Sequence, residues 1–499
     1  MNKSLRLILS LLWQSVAYGV GILGSQLIVY IMLPFLTRYM TREEYGAISI
    51  IMALYAFLNV LTNAGLPPTT FRYYNNTEDK KDQRITIGAA QFLFFLYAFV
   101  PAIGIFIFSR PISILLLSSE QYAPWLQLVA LYLVVDSMNT FGTVILRIDV
   151  RPFISSFHSI ILIACQAGFA LFFVIVYKLG GFGYWLGYLI GETIGFVIMV
   201  WLIRKRIFFQ ISWNRIWELT KFGFPLIPAT LSMAILRLSD RYIIGALAGL
   251  EQVAIYDVGY KVGSVVVLLI APFRTAWIPF AFSIAQKPDA PKTYRDVLTY
   301  LAAGCSFLIL GIIAFRAELV NLIASPSYAD AVIVVSWVAA SQLFLAVYLV
   351  FSIGPMIMDK THRLAWVALF AAGINLLLNF ILIPLIGILG AAIATFAGYL
   401  VLAVMTHLIS KPIFTVPMDW RRLIRLFFAN GLVLFGIFII ENFSADYWTK
   451  IVLKMLGLSL FPIMLLLIGF VTYAQGKEIF DLVKSIMNKK FMQNKKVIQ

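Results

Sequence analysis

The stretch from 222 to 248, FGFPLIPATLSMAILRLSDRYIIGALA, is long and apolar enough to cross a bilayer as one helix. Yet it places Arg237, Asp240 and Arg241 within little more than one helical turn. A span needs roughly 20 apolar residues, and runs of that length recur from end to end of the chain. The composition agrees: 61% hydrophobic, 15% aromatic and 12% charged, with a mean hydropathy of +0.91. A soluble domain carries about 25% charged residues. In lipid the backbone must close its own hydrogen bonds, which leaves helices or closed barrels. Continuous apolar runs without ten-residue alternation choose helices, so the fold class is an all-α polytopic membrane protein.

About fourteen spans are expected, near 11–36, 46–66, 85–108, 123–146, 152–177, 183–203, 222–247, 253–283, 297–315, 329–352, 364–384, 388–408, 423–440 and 451–472. The basic start MNKSLRLILSLLWQ runs on in an apolar segment to Leu36 with no small-residue cleavage pattern, which reads as a retained first span. With the N-terminus in the cytoplasm, 28 of the 39 Lys and Arg residues fall in the even-numbered loops and the two termini, and seven in the odd loops. That imbalance is the positive-inside signature. It places both termini in the cytoplasm and accounts for the net charge of +16 without invoking a nucleic acid. The tail at 476–499 is basic, with Ile479, Phe480, Leu482, Val483, Ile486 and Met487 among its charges. It reads either as an interfacial helix on the anionic leaflet or as a topology signal.

An internal repeat follows from spacing. TREEYGAISIIMAL from Thr41 lies over GLEQVAIYDVGYKV from Gly249 at an offset of about 208, and KLGGFGYWLGYLIG from Lys178 lies over PLIGILGAAIATFAG from Pro384 at about 207. Two six-helix lobes are expected, 1–216 and 217–410, followed by two C-terminal helices in 411–475 and the tail. Six spans is an even number, so the lobes are parallel repeats. Such repeats belong to transporters that bind substrate between the halves.

Four cations remain inside the membrane: Arg237, Arg241, Lys261 and Arg274. One charge at a span's centre costs about 2.5–3.5 kcal/mol. One reading pairs Asp257 with Lys261 at i,i+4 and Arg237 with Asp240 at i,i+3. Arg241 and Arg274 are then left over. The other reading is a hydrated cavity with a positive wall, suited to an anionic group such as phosphate, which arginine holds bidentately. Gln26, Tyr30, Asn59 and Asn63, with Arg38 and Arg72 near the span ends, either line the opposite wall for hydroxyl-rich groups or join helices to one another. Asp240, Asp257 and Glu192 are the acids placed to couple transport to H+ or Na+, and Asp136 is a further one. Glu44 sits three residues after Thr41, a capping-box spacing, so Glu43 and Glu44 read as helix-start residues before catalytic acids. Gly183, Gly187, Gly191 and Gly195 form a ribbon for close helix packing. Cys165 and Cys305 lie inside spans, and His158, His362 and His407 are scattered. Neither set has the spacing of a metal site or a disulfide framework, so no cofactor is expected.

Taken as a set, RYMTREEYGAISI near Arg38, NAGLPPTTFRYY near Asn63, KFGFPLIPATLSMAILRLSDRYIIG from Lys221 and IYDVGYKVGSVVVLLIAPFRTAWIPF from Ile255 resemble the bacterial polysaccharide and O-antigen flippases. These belong to the multidrug/oligosaccharidyl-lipid/polysaccharide exporter superfamily, and the likeness runs through the twelfth span. It implies translocation of an undecaprenyl-pyrophosphate-linked glycan across the bacterial inner membrane by alternating access. The implied partners are that lipid-linked glycan, membrane lipid, and the polymerase and glycosyltransferases of the same pathway. It also implies a V-shaped pair of lobes whose cavity is lined by spans one, two, seven and eight. The rival readings are a multidrug exporter of the same superfamily, disfavoured by the positive charge, and a membrane glycosyltransferase or polymerase, disfavoured by the short outer loops.

Overall fold

A computed structural model describes residues 21, 23–63, 65–208, 210–444 and 446–470. All regular structure among them is helical, as backbone closure in lipid demands. Thirteen helices among the described residues are long and apolar enough to cross a membrane. The span expected at 11–36 appears as a helix over 23–39, α1, and its beginning lies outside the described residues. The basic tail at 476–499 also lies outside them.

The spanning helices after α1 are α2 (Arg42–Asn63), α3 (Lys80–Ile107), α4 (Ala123–Ile148), α5 (Pro152–Leu171) and α6 (Gly180–Ile203). Then come α7 (Ile227–Ala248) and α8 (Leu250–Ile284), which a 3-10 turn tightens at Ser264–Val266. α9 (Ala290–Ala314), α10 (Val332–Phe351), α11 (Thr361–Ile386), α12 (Ile388–Ser410), α13 (Trp420–Asn442) and α14 (Tyr447–Leu467) complete the set. The repeat spacing reappears in the helix starts. α2 and α8 begin at 42 and 250, and α6 and α12 at 180 and 388, so each pair is 208 residues apart. α3 and α9 are each followed by a short helix, Ser109–Leu117 and Arg316–Ile323, and then by a 3-10 segment.

The start of α2 is a capping box. The Glu44 N–H donates to the Thr41 hydroxyl at 3.1 Å, and the Thr41 N–H donates back to the Glu44 carboxylate at 3.1 Å. The same carboxylate accepts the Gly181 N–H at 3.4 Å, and Glu43 accepts the Tyr122 hydroxyl at 2.8 Å. Both acids are thereby occupied in fixing the first outer turn.

Packing follows the small residues. A Cβ on Gly187 would stand 2.2 Å from the Ala170 nitrogen, and one on Gly191 2.4 Å from the Gln166 nitrogen. Only glycine lets α6 lie this close to α5, as the ribbon implied. α4 packs on α3 and α6, α12 packs on α10 and α11, and α7 packs on α11. α2 crosses to the other half and packs on both α7 and α8. One continuous buried core runs through that seam, with Tyr45, Trp185, Tyr256 and Tyr328 fully enclosed. α13 and α14 attach beside α9. There the buried Lys454 ammonium meets Glu318 at 3.0 Å and Glu441 at 3.8 Å, and Arg316 meets Glu441 at 2.6 Å.

Candidate functional site

The charges of α7 and α8 converge on Asp257. One carboxylate oxygen takes the Arg241 guanidinium at 3.2 Å, and the other takes the Lys261 ammonium at 2.9 Å and the Tyr45 hydroxyl at 3.0 Å. Arg241 also meets Asp240 at 2.7 Å and donates to the Arg237 carbonyl at 2.9 Å. Its guanidinium lies 4.3 Å from the centre of the Tyr260 ring. Asp240 further accepts the Tyr256 hydroxyl, with Thr395 of α12 at 3.5 Å. Two cations and two anions thus neutralise one another. A buried charge needs such a partner.

The expected pairing is half right. Asp257 and Lys261 do pair across one turn. Asp240, however, pairs with Arg241 and not with Arg237, and Arg241 is not left over. Its side chain is 4% exposed and is shared between two carboxylates. Periodicity along one helix sees neighbours at i,i+3 and i,i+4. It cannot see Asp257, which α8 brings up against α7. Arg241 is therefore an interior counter-ion and not part of a cavity wall.

Arg237 and Arg274 are a different case. Both are exposed, and neither makes an ion pair among the described residues. Arg237 lies ten residues into α7, about 15 Å along the helix. A charge at that depth is too costly to face hydrocarbon. Lys261 lies between the two classes. It is paired, yet its side chain is 34% exposed. Two first-half phenols adjoin it: Tyr30 donates to its carbonyl at 3.2 Å, and its ammonium donates to Tyr45 at 2.7 Å.

The first half holds a second polar interior. Glu192, fully buried on α6, accepts an amide N–H from Asn139 of α4 at 2.5 Å and another from Gln166 of α5. Gln166 also donates to Tyr132 at 3.2 Å. About one turn of α4 from Asn139, Asp136 accepts from Asn59 at 2.9 Å, and Asn59 reaches Tyr55 at 3.1 Å. Neither acid meets a Lys or Arg among the described residues. The Asn139 carbonyl oxygen is buried with no partner among those residues.

The remaining expected residues divide. Asn59 and Asn63 belong to this interior, since Asn63 donates to the Asn59 backbone and side chain at 2.8 and 2.9 Å. The interhelical reading therefore holds for Asn59. Tyr30 is half-buried against Lys261, and Gln26 is half-buried on α1. Arg38 is exposed and folds back on the Pro34 carbonyl at 3.4 Å. Arg72 is exposed with its guanidinium 4.4 Å from the centre of the Phe222 ring. Sequence reading missed Tyr45, Tyr256, Asn139 and Gln166. They are ordinary span residues until neighbouring helices aim them at an acid. Among the described residues no cluster of His, Cys, Asp and Glu is arranged to hold a metal ion.

A family model described as "polysaccharide biosynthesis protein" matches residues 12–285. No curated protein matches the chain. Among solved structures, the lipid II flippase MurJ in an inward closed conformation is 13% identical with a TM-score of 0.75, covering 90% of this chain and 98% of that one. A multidrug resistance MATE transporter is 13% identical in its inward-facing conformation, with a TM-score of 0.68 and coverage of 79% and 94%. An outward-facing MATE transporter is 14% identical, with a TM-score of 0.61 and coverage of 81% and 95%. At these identities the likeness shows the fold.

Proposed function

The chain belongs to the polysaccharide biosynthesis protein family, within the superfamily that also holds the MurJ and MATE transporters, and from that premise we propose that it flips a lipid-linked glycan. The cargo is an undecaprenyl-pyrophosphate-linked oligosaccharide of the O-antigen or capsule type, moved across the bacterial inner membrane with both termini in the cytoplasm. The two halves, 1–216 and 217–410, form lobes that rock about the α2–α7–α8 seam, with 411–475 appended. One observation carries the reading: Arg237 and Arg274 are exposed cations far from the ends of their helices with no ion pair among the described residues, and Lys261 of α8 is part-exposed. A pyrophosphate satisfies such a wall, through bidentate contacts with arginine and a point charge on lysine. A cationic drug would be repelled by it, which disfavours the multidrug reading.

No covalent step is required. The headgroup enters the watery cleft, and the polyprenyl chain stays in lipid. Gln26, Tyr30 and Arg38 on α1, with Arg72 beyond α2, offer the facing wall its hydrogen bonds to sugars. Energy comes from an ion at Glu192 and Asp136. Asp240 and Asp257, the other acids weighed for that role, are already committed to Arg241 and Lys261. An acid buried without a cation needs a proton or a small cation beside it. The test is complementation of flippase-null strains that each make a different repeat unit. Restoration of surface glycan in one strain is expected and identifies the cargo. Failure in all, with the protein present in the membrane, rejects the reading.

A further inference from the structure

The outer turns of the two halves are pressed together. A Cβ on Gly46 would fall 1.9 Å from the Leu250 carbonyl oxygen, and Arg42 approaches Glu251 at 3.7 Å. Arg42 is part-exposed and Glu251 exposed, and ion pairs so open to water contribute little. The polar bonds that count lie one turn deeper, at Tyr45. This α2 residue is 1% exposed, and its ring meets Tyr328 edge-on at 6.1 Å. Its hydroxyl joins α2 to α8 twice, donating to Asp257 at 3.0 Å and accepting from Lys261 at 2.7 Å. The second bond depends on an ammonium that is 34% exposed.

From this we infer that Tyr45 is a latch released by the cargo: an anionic group that takes the Lys261 ammonium removes one of the two bonds that Tyr45 makes from α2 to α8 and loosens the outer seal. The release is cheap on the α8 side. Asp257 has three donors, and Arg241 and Tyr45 still satisfy it when Lys261 leaves. A ligand shifts a conformational equilibrium only through different affinity for the two states. Here the difference is built in, because the ammonium is free to give all its donors to the anion only when it no longer serves the closed seam. The inference rests on the flippase reading for the nature of the anion, but not for the latch itself.

The test uses full-length protein in lipid nanodiscs, with Cys165 and Cys305 replaced by alanine and spin labels at Tyr39→Cys and Leu247→Cys, both exposed near the outer ends of α1 and α7. Inorganic pyrophosphate is the probe. In the otherwise native chain it is expected to raise the long-distance population. Tyr45→Phe keeps the ring and its packing but deletes both bonds, so the long-distance population should rise about fivefold with no anion present. Lys261→Gln should abolish the response to pyrophosphate. A Tyr45→Phe distribution that matches the native one overturns the latch, and a native chain that ignores pyrophosphate overturns its release by anions. Both readouts stand apart from glycan transport, so failed complementation with an intact latch would count against the cargo and not against the latch.

Discussion

The α7–α8 network and the α4–α6 interior face the same cost and meet it differently. Around Asp257 every acid has a cation of the protein's own: Arg241 and Lys261 balance Asp240 and Asp257. Around Glu192 the neighbours are amides and phenols, and the described residues supply no counter-charge. A network closed by fixed charges is a structural joint. One closed only by neutral donors leaves room for an exchangeable charge. The asymmetry teaches that buried acids in one membrane protein need not share a task, and that the partners decide it.

The largest expected effect comes from breaking the balanced side. Asp257→Ala leaves Arg241 with one carboxylate and Lys261 with a phenol alone. Removing one member of a buried ion pair costs about 3–5 kcal/mol, so thermal unfolding in detergent should show a strongly destabilised protein. Glu192→Gln should do the opposite. It has nearly the same shape; its oxygen keeps one donor, and the other of Asn139 and Gln166 turns its amide over to accept the new N–H, so stability should hold within about 1 kcal/mol. Transport, in contrast, should lose its response to an imposed proton or sodium gradient. If Glu192→Gln were as destabilising as Asp257→Ala, the two regions would be alike and the comparison would break.

Much of this architecture can be read in the sequence because lipid enforces it. Spans, loop charges, the Thr41–Glu44 box and the glycine ribbon on α6 are local patterns with local causes, and helix starts 208 residues apart bear out the repeat spacing. The site is less legible because its bonds cross between helices. Arg241 looked unpartnered since its second carboxylate comes from α8. Asn59 stood open between cavity wall and helix joint, and only its bond to Asp136 of α4 decides for the joint. Tyr45 gave no signal at all, because nothing along α2 marks a tyrosine that will sit between Asp257 and Lys261.

On this reading, exposed cations deep in the second half carry an anionic headgroup through the membrane. The rate at which an undecaprenyl-pyrophosphate-linked oligosaccharide appears in the far leaflet of proteoliposomes holding native protein, Arg237→Ala or Arg274→Ala measures that role directly. Each variant should slow translocation at least about tenfold, the equivalent of one lost charge-assisted contact, with the amount of folded protein unchanged. Native rates in both variants would mean that these cations do not hold the headgroup.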